Sequence, residues 1–98
     1  MEGYQKIYYF GKRMASRIEL TDDEWRVFHD ILREHPAVYV GNEEKCRRFL
    51  NGVLFVLRTG IQWRHLPAEL GKWNSVFKRF ARWCAQGVWQ SLGSGSNL

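Results

Sequence analysis

At 98 residues the chain has room for one small domain, and a 45% hydrophobic, 15% aromatic composition supplies a core, which excludes wholesale disorder. The net charge of +5 is unevenly held: residues 1–44 carry six basic and nine acidic groups, whereas residues 45–98 carry nine basic groups against Glu69 alone. A half so charged is drawn to polyanions, with DNA the first candidate and a membrane surface the competitor. No run approaches the ~20 apolar residues of a membrane span.

Residues 1–17 form a basic, tyrosine-rich lead-in, read either as a flexible arm or, at Tyr8-Tyr9-Phe10, as a short strand. The stretch lacks the apolar run and cleavage site of a secretory signal, so the chain is read as cytoplasmic. Leu20-Thr21-Asp22-Asp23-Glu24-Trp25 predicts a helix start. Thr21 is the N-cap, Glu24 completes a capping box, and Leu20 and Trp25 are placed for a hydrophobic staple. The three acids complement the positive end of the helix dipole, which accounts for them without a carboxylate active site. This helix is expected to bury Trp25, Phe28, Ile31 and Leu32, and Pro36 stops it near Glu34 or His35.

Residues 36–42 connect to the next helix, with a brief extended piece at Val38-Tyr39-Val40. The second helix is predicted from Glu43 to Thr59, ending at Gly60. Cys46, Phe49, Leu50, Val53, Leu54, Val56 and Leu57 cover almost half of its circumference, as a central helix requires. Arg47, Arg48 and Arg58 lie on its outer face, as a second candidate DNA patch or as a solvated surface. In the link that follows, Ile61 and Trp63 point inward, and Pro67 opens a short helix over Pro67–Leu70.

A basic helix is predicted over about Asn74–Gln86, capped by Asn74 or Ser75 and stopped by Gly87. With Phe77 at the centre of its apolar stripe, Phe80, Ala81 and Cys84 fall within about 60°. Ser75, Lys78, Arg79, Arg82 and Gln86 then take the far side, and every charge on the helix is positive. A short helix, a glycine turn and such a helix are how a helix-turn-helix presents a recognition helix to DNA. Lys78, Arg79 and Arg82 are the candidate contacts to phosphates or guanine edges. Asn74, Ser75 and Gln86 are candidates for hydrogen bonds, and Lys72, in the turn, for the DNA backbone. Val88, Trp89 and Leu92 begin one more helical turn, and residues 93–98 read as a flexible Gly/Ser tail. All five tryptophans, Trp25, Trp63, Trp73, Trp83 and Trp89, are expected in the core.

The fold class expected is all-α: a small bundle of three to five helices over residues 18–92, containing a helix-turn-helix. Cys46 and Cys84 read as free thiols, and without paired ligands at short spacing no metal or cofactor is expected. No nucleophile–base pair or phosphate loop marks an enzyme. The alternative is a protein–protein module, in which the wide apolar helix, the off-stripe Phe55 and the C-terminal Trp89 serve self-association or docking of a catalytic subunit.

Leu20-Thr21-Asp22-Asp23-Glu24-Trp25, the run LFVLRTGIQWRHLP from Leu54 to Pro67, GKWNSVFKRF from Gly71 to Phe80, Trp83 and Gly87-Val88-Trp89 carry a resemblance. Over roughly residues 18–92 the chain resembles the N-terminal domain of bacterial insertion-sequence transposases of the DDE class. The resemblance implies an all-helical domain that binds the terminal inverted repeats of a mobile element as double-stranded DNA, and hence a nucleoid-associated location. It further implies a separate, downstream catalytic domain whose three carboxylates hold two divalent metal ions. Beyond Glu69 this sequence has no acid, so those carboxylates have no counterpart here. The expectation is a first-frame product or a truncated copy that is inert in catalysis alone, and that competes with full transposase for element ends as a regulator.

Overall fold

Side-chain capping decides where the first helix begins. In the computed structural model, which describes residues 19–95, Thr21 Oγ1 accepts a hydrogen bond from the Glu24 N–H at 3.2 Å. Glu24 Oε1 accepts one from the Thr21 N–H at 2.8 Å, so the capping box is complete. Helix α1 (Asp22–Glu34) follows and stops at His35, ahead of Pro36. Leu20 and Trp25, the two staple residues, are both buried, and so are Phe28 and Leu32. Ile31 is half-buried at the edge of the same cluster.

Helix α2 (Glu43–Thr59) is capped by the Asn42 side chain, which accepts from the Lys45 N–H at 3.0 Å, and ends at Gly60 in a left-handed conformation (φ 72°). Cys46, Phe49, Leu50, Val53, Leu54 and Val56 are buried along it, as expected for a helix with neighbours on two sides. Two contacts lock its outer face to the entry of α1. Asn51 Oδ1 accepts from the Leu20 N–H at 2.9 Å, and an Arg47 Nη donates to the Leu20 carbonyl at 2.9 Å. Arg47 also lies 2.8 Å from Asp22, but Asp22 is largely exposed, so that pair contributes about 0.2–1 kcal/mol. The charged hydrogen bond to the half-buried carbonyl is the stronger tie, about 1.5–3 kcal/mol.

Two 3-10 turns, Trp63–His65 and Ala68–Leu70, carry the chain from α2 to helix α3 (Trp73–Ala85). The second turn rests on α2 where Gly52 lacks a side chain: a Cβ there would stand 3.4 Å from the Leu70 carbonyl oxygen. The expected short helix at Pro67–Leu70 is therefore a single 3-10 turn, with Pro67 as its cap. Helix α4 (Val88–Gly95) packs against α1 and α3 and buries Val88, Trp89 and Leu92.

The result is an all-α bundle of four helices, without a strand among the described residues. Val38-Tyr39-Val40 is irregular; Tyr39 is 89% exposed, while Val38 and Val40 pack against the core. The tail expected from residue 93 begins inside α4, because burial of Trp89 and Leu92 carries the helix on to Gly95. The lead-in over residues 1–17, with its candidate strand, and residues 96–98 lie outside the described residues. Among the described residues no helix is long and apolar enough to cross a membrane.

Thr21→Ala removes the cap and leaves an α1 N–H without its acceptor. It is expected to lower unfolding stability by about 0.5–2 kcal/mol, read from the urea midpoint.

Candidate nucleic-acid interface

Gly71 sets the entry to α3. Its backbone (φ 118°, ψ 172°) lies in a region that side chains disfavour, and a Cβ there would press on Val76 at 3.1 Å. The helix starts at Trp73, one residue before the expected Asn74; its N-cap is Lys72, two or three residues before the expected caps Asn74 and Ser75, and no side chain caps it. Asn74 and Ser75 are consequently inside the first turn. The Asn74 Oδ1 is buried without a hydrogen-bond partner, turned away from the surface on which it was expected to act. At the other end Gln86 is the C-cap and Gly87 takes the left-handed turn (φ 72°).

The apolar stripe of α3 is rotated from its expected position. Val76, Phe80 and Trp83 are buried, whereas Phe77 is 39% exposed and Ala81 faces solvent. The inward centre of the helix thus lies about 90° from Phe77. The reason is the set of partners beneath. Trp83 meets the edge of Phe49 at 5.0 Å and packs on Trp89 at 5.3 Å; Trp89 also packs on Phe80 at 5.6 Å and donates its indole N–H to the Phe80 carbonyl at 3.2 Å. Phe77 retains a looser edge contact with Trp63, at 5.5 Å. Trp73, expected in the core, is 42% exposed at the start of the helix.

That rotation separates the cations. Arg79 is half-buried: its guanidinium lies 4.5 Å from the Phe49 ring centre and 5.0 Å from that of Trp83, and it donates to Cys46 Sγ at 3.6 Å. It is a packed residue, not a member of the open face. The exposed face of α3 instead gathers Ser75, Lys78, Ala81, Arg82, Ala85 and Gln86. Among the described residues neither Lys78 nor Arg82 has an acidic partner. On the α1 side the opposite holds: Arg26 pairs with Asp23, Arg33 with Asp30 and Arg47 with Asp22.

The second expected patch does not hold together. Arg47 is engaged with Leu20 and Asp22, and Arg58 stands in the last turn of α2, far along the helix from Arg48. Arg48 faces the entry to α3. With Lys45, Gly71, Lys72, Ser75 and Arg79 it lines an open cavity of about 180 Å³. Lys45 was not singled out in the sequence, although its i, i+3 spacing from Arg48 puts both on one face of α2.

A family model described as "Putative transposase of IS4/5 family (DUF4096)" matches residues 20–92. The chain belongs to this transposase family. It is 50% identical over 48 residues to an uncharacterized 16.2 kDa protein of insertion element IS402 from Burkholderia cepacia, a match covering 47% of this chain and 33% of that protein. It is 33% identical over 69 residues to the uncharacterized protein y4sN of Sinorhizobium fredii, covering 70% of this chain and 55% of that one. The chain thus spans between a third and about half of the length of these curated relatives. No solved structure matches it. Membership in an insertion-sequence transposase family connects the chain with transposition.

Among the described residues no three histidine, cysteine or acidic side chains converge. Cys46 and Cys84 are free thiols. Burial pushes both above the usual thiol range, and the Arg79 guanidinium partly opposes that shift at Cys46.

The packed role of Arg79 separates it from its neighbour. Arg79→Ala is expected to cost about 1–2 kcal/mol through loss of its ring contacts, while Lys78→Ala stays within about 0.5 kcal/mol. Thermal unfolding of the two variants side by side measures the difference.

Proposed function

We propose that α3 is a recognition helix that enters the major groove of double-stranded DNA at the terminal inverted repeats of the mobile element. The observation that supports this most is the exposed face of α3, where Lys78 and Arg82 stand without acidic partners among the described residues, on a helix anchored from behind by Phe80 and Trp83. A major groove about 12 Å wide accepts an α-helix. Ala81 and Ala85 keep that face low, so the helix axis approaches the base edges closely, and a methyl group at Ala81 suits contact with a thymine methyl. Lys78 and Arg82 serve phosphates or guanine edges, and Ser75 and Gln86 supply hydrogen bonds at the two ends. In this reading α2 is the supporting helix of the helix-turn-helix, and residues 60–72, with their two 3-10 turns, are an extended turn. The domain contributes binding and not strand cleavage.

A second reading, assembly with the catalytic subunit or with a second copy, is favoured by two exposed aromatic side chains of α3, Trp73 and Phe77, the latter in edge contact with the half-buried Trp63. It does not draw on Trp89, which is buried in the core.

Fluorescence anisotropy of the purified chain with a labelled terminal-repeat duplex and a scrambled duplex, each at two salt concentrations, tests the proposal. Tighter binding to the repeat is expected. Lys78→Ala/Arg82→Ala is expected to weaken it about tenfold or more with an unchanged melting temperature. Wild-type affinity in that double variant would sink the recognition-helix reading; failure of the parent chain to bind either duplex at low salt would promote assembly.

A further inference from the structure

We propose that the cavity between the first turns of α2 and the entry to α3 binds one phosphodiester group of duplex DNA, as an anchor distinct from the exposed face of α3. The inference rests on the DNA-binding reading above and adds a second, sequence-independent point of attachment.

Three independent features converge there. The first is charge: Lys45, Arg48, Lys72 and Arg79 all line one cavity of about 180 Å³, no acid lines it, and none of the four has an acidic partner among the described residues. Four cations drawn together without a counter-charge repel one another, a cost that a bound anion removes. The second is the backbone. Helix α3 starts at the rim of the cavity with no side-chain cap, so its first N–H groups and the positive end of its dipole add to the same field. The Ser75 hydroxyl, in the first turn, adds a donor. The third is preorganisation. Arg79 is held by Phe49 and Trp83, so its positive charge is fixed in the cavity wall before any ligand arrives and loses little freedom on binding. Lys45, Arg48 and Lys72 are exposed and free to close on a phosphate from the solvent side.

The architecture favours DNA over a free oxyanion as the source. The cavity opens at the N-terminal end of the helix whose exposed face carries Lys78 and Arg82. A recognition helix placed in the groove has a strand backbone beside its N-terminus, where a phosphate contact fixes register without reading sequence.

The test is a comparison of the full chain with Lys45→Gln/Arg48→Gln, both substitutions being exposed positions on α2 outside the α3 face. Anisotropy is measured on the repeat and scrambled duplexes over a range of salt. The expected result is binding about tenfold weaker to both duplexes, with the preference between them intact and the slope of log K against log salt shallower by about 1. In parallel, inorganic phosphate is titrated into the 15N-labelled chain, and the backbone amides of Gly71 to Ser75 are expected to shift. Wild-type affinity and slope in this variant, with Lys78→Ala/Arg82→Ala still weakened, would overturn the anchor and leave the recognition helix standing. Amide shifts with phosphate in a chain that binds no duplex would overturn the DNA assignment of the cavity together with the recognition helix.

Discussion

The position of α3 depends on the aromatic packing beneath it. Phe80 and Trp83 project inward from the helix, Phe49 meets Trp83 and Trp89 from α2, and Trp89 closes the group from α4, with its N–H on the Phe80 carbonyl. Loss of one large core aromatic generally costs about 3–5 kcal/mol, against about 5–15 kcal/mol for the whole stability of a small domain. Orientation of the basic face and survival of the fold are therefore a single energetic question. The same rings immobilise Arg79, so the packing that holds the helix also places a cation.

Much of this was legible in the sequence wherever a local chemical rule acts by itself. Thr21 and Glu24 read as a capping box because the two groups satisfy each other's backbone N–H within one turn. Gly60 and Gly87 read as helix ends because a left-handed residue there favours glycine. The wide apolar arc of α2 read as a central helix because burial on two sides leaves few positions for polar residues. Family resemblance, carried by the run from Leu54 to Pro67 and by the tryptophan spacing, agrees with the match over residues 20–92.

The rest depends on partners that a helical wheel does not contain. Phe77 and Trp83 are equally plausible centres of an apolar stripe until Phe49 and Trp89 are placed under one of them. Arg79 looks like any other basic residue of α3 until two rings from the fold close on it. Arg47 read as part of a DNA patch or a solvated face because its partner, the backbone of Leu20, which Asn51 also holds, is 27 residues away. Asn74 read as a cap because Asn is a good one, but the freedom of Gly71 lets the cap fall two residues earlier, at Lys72, and the helix start at Trp73. The cavity residues Lys45, Arg48 and Lys72 come from two segments that only the approach of the Leu70 turn to Gly52 brings side by side.

Helix α2 also divides the molecule electrically. On its α1 flank Arg26, Arg33 and Arg47 each pair with an aspartate, while on its α3 flank the cations stand without acidic partners among the described residues. The described part of the chain is thus electrically lopsided as well as positively charged. In the field of a rod-shaped polyanion it experiences a torque before it experiences contact, and the torque turns its α3 flank toward the rod. If the partner is DNA, as proposed, encounter begins from a biased set of orientations. At physiological ionic strength that alignment acts only within about 8 Å, so it shapes the last approach and not the long-range search.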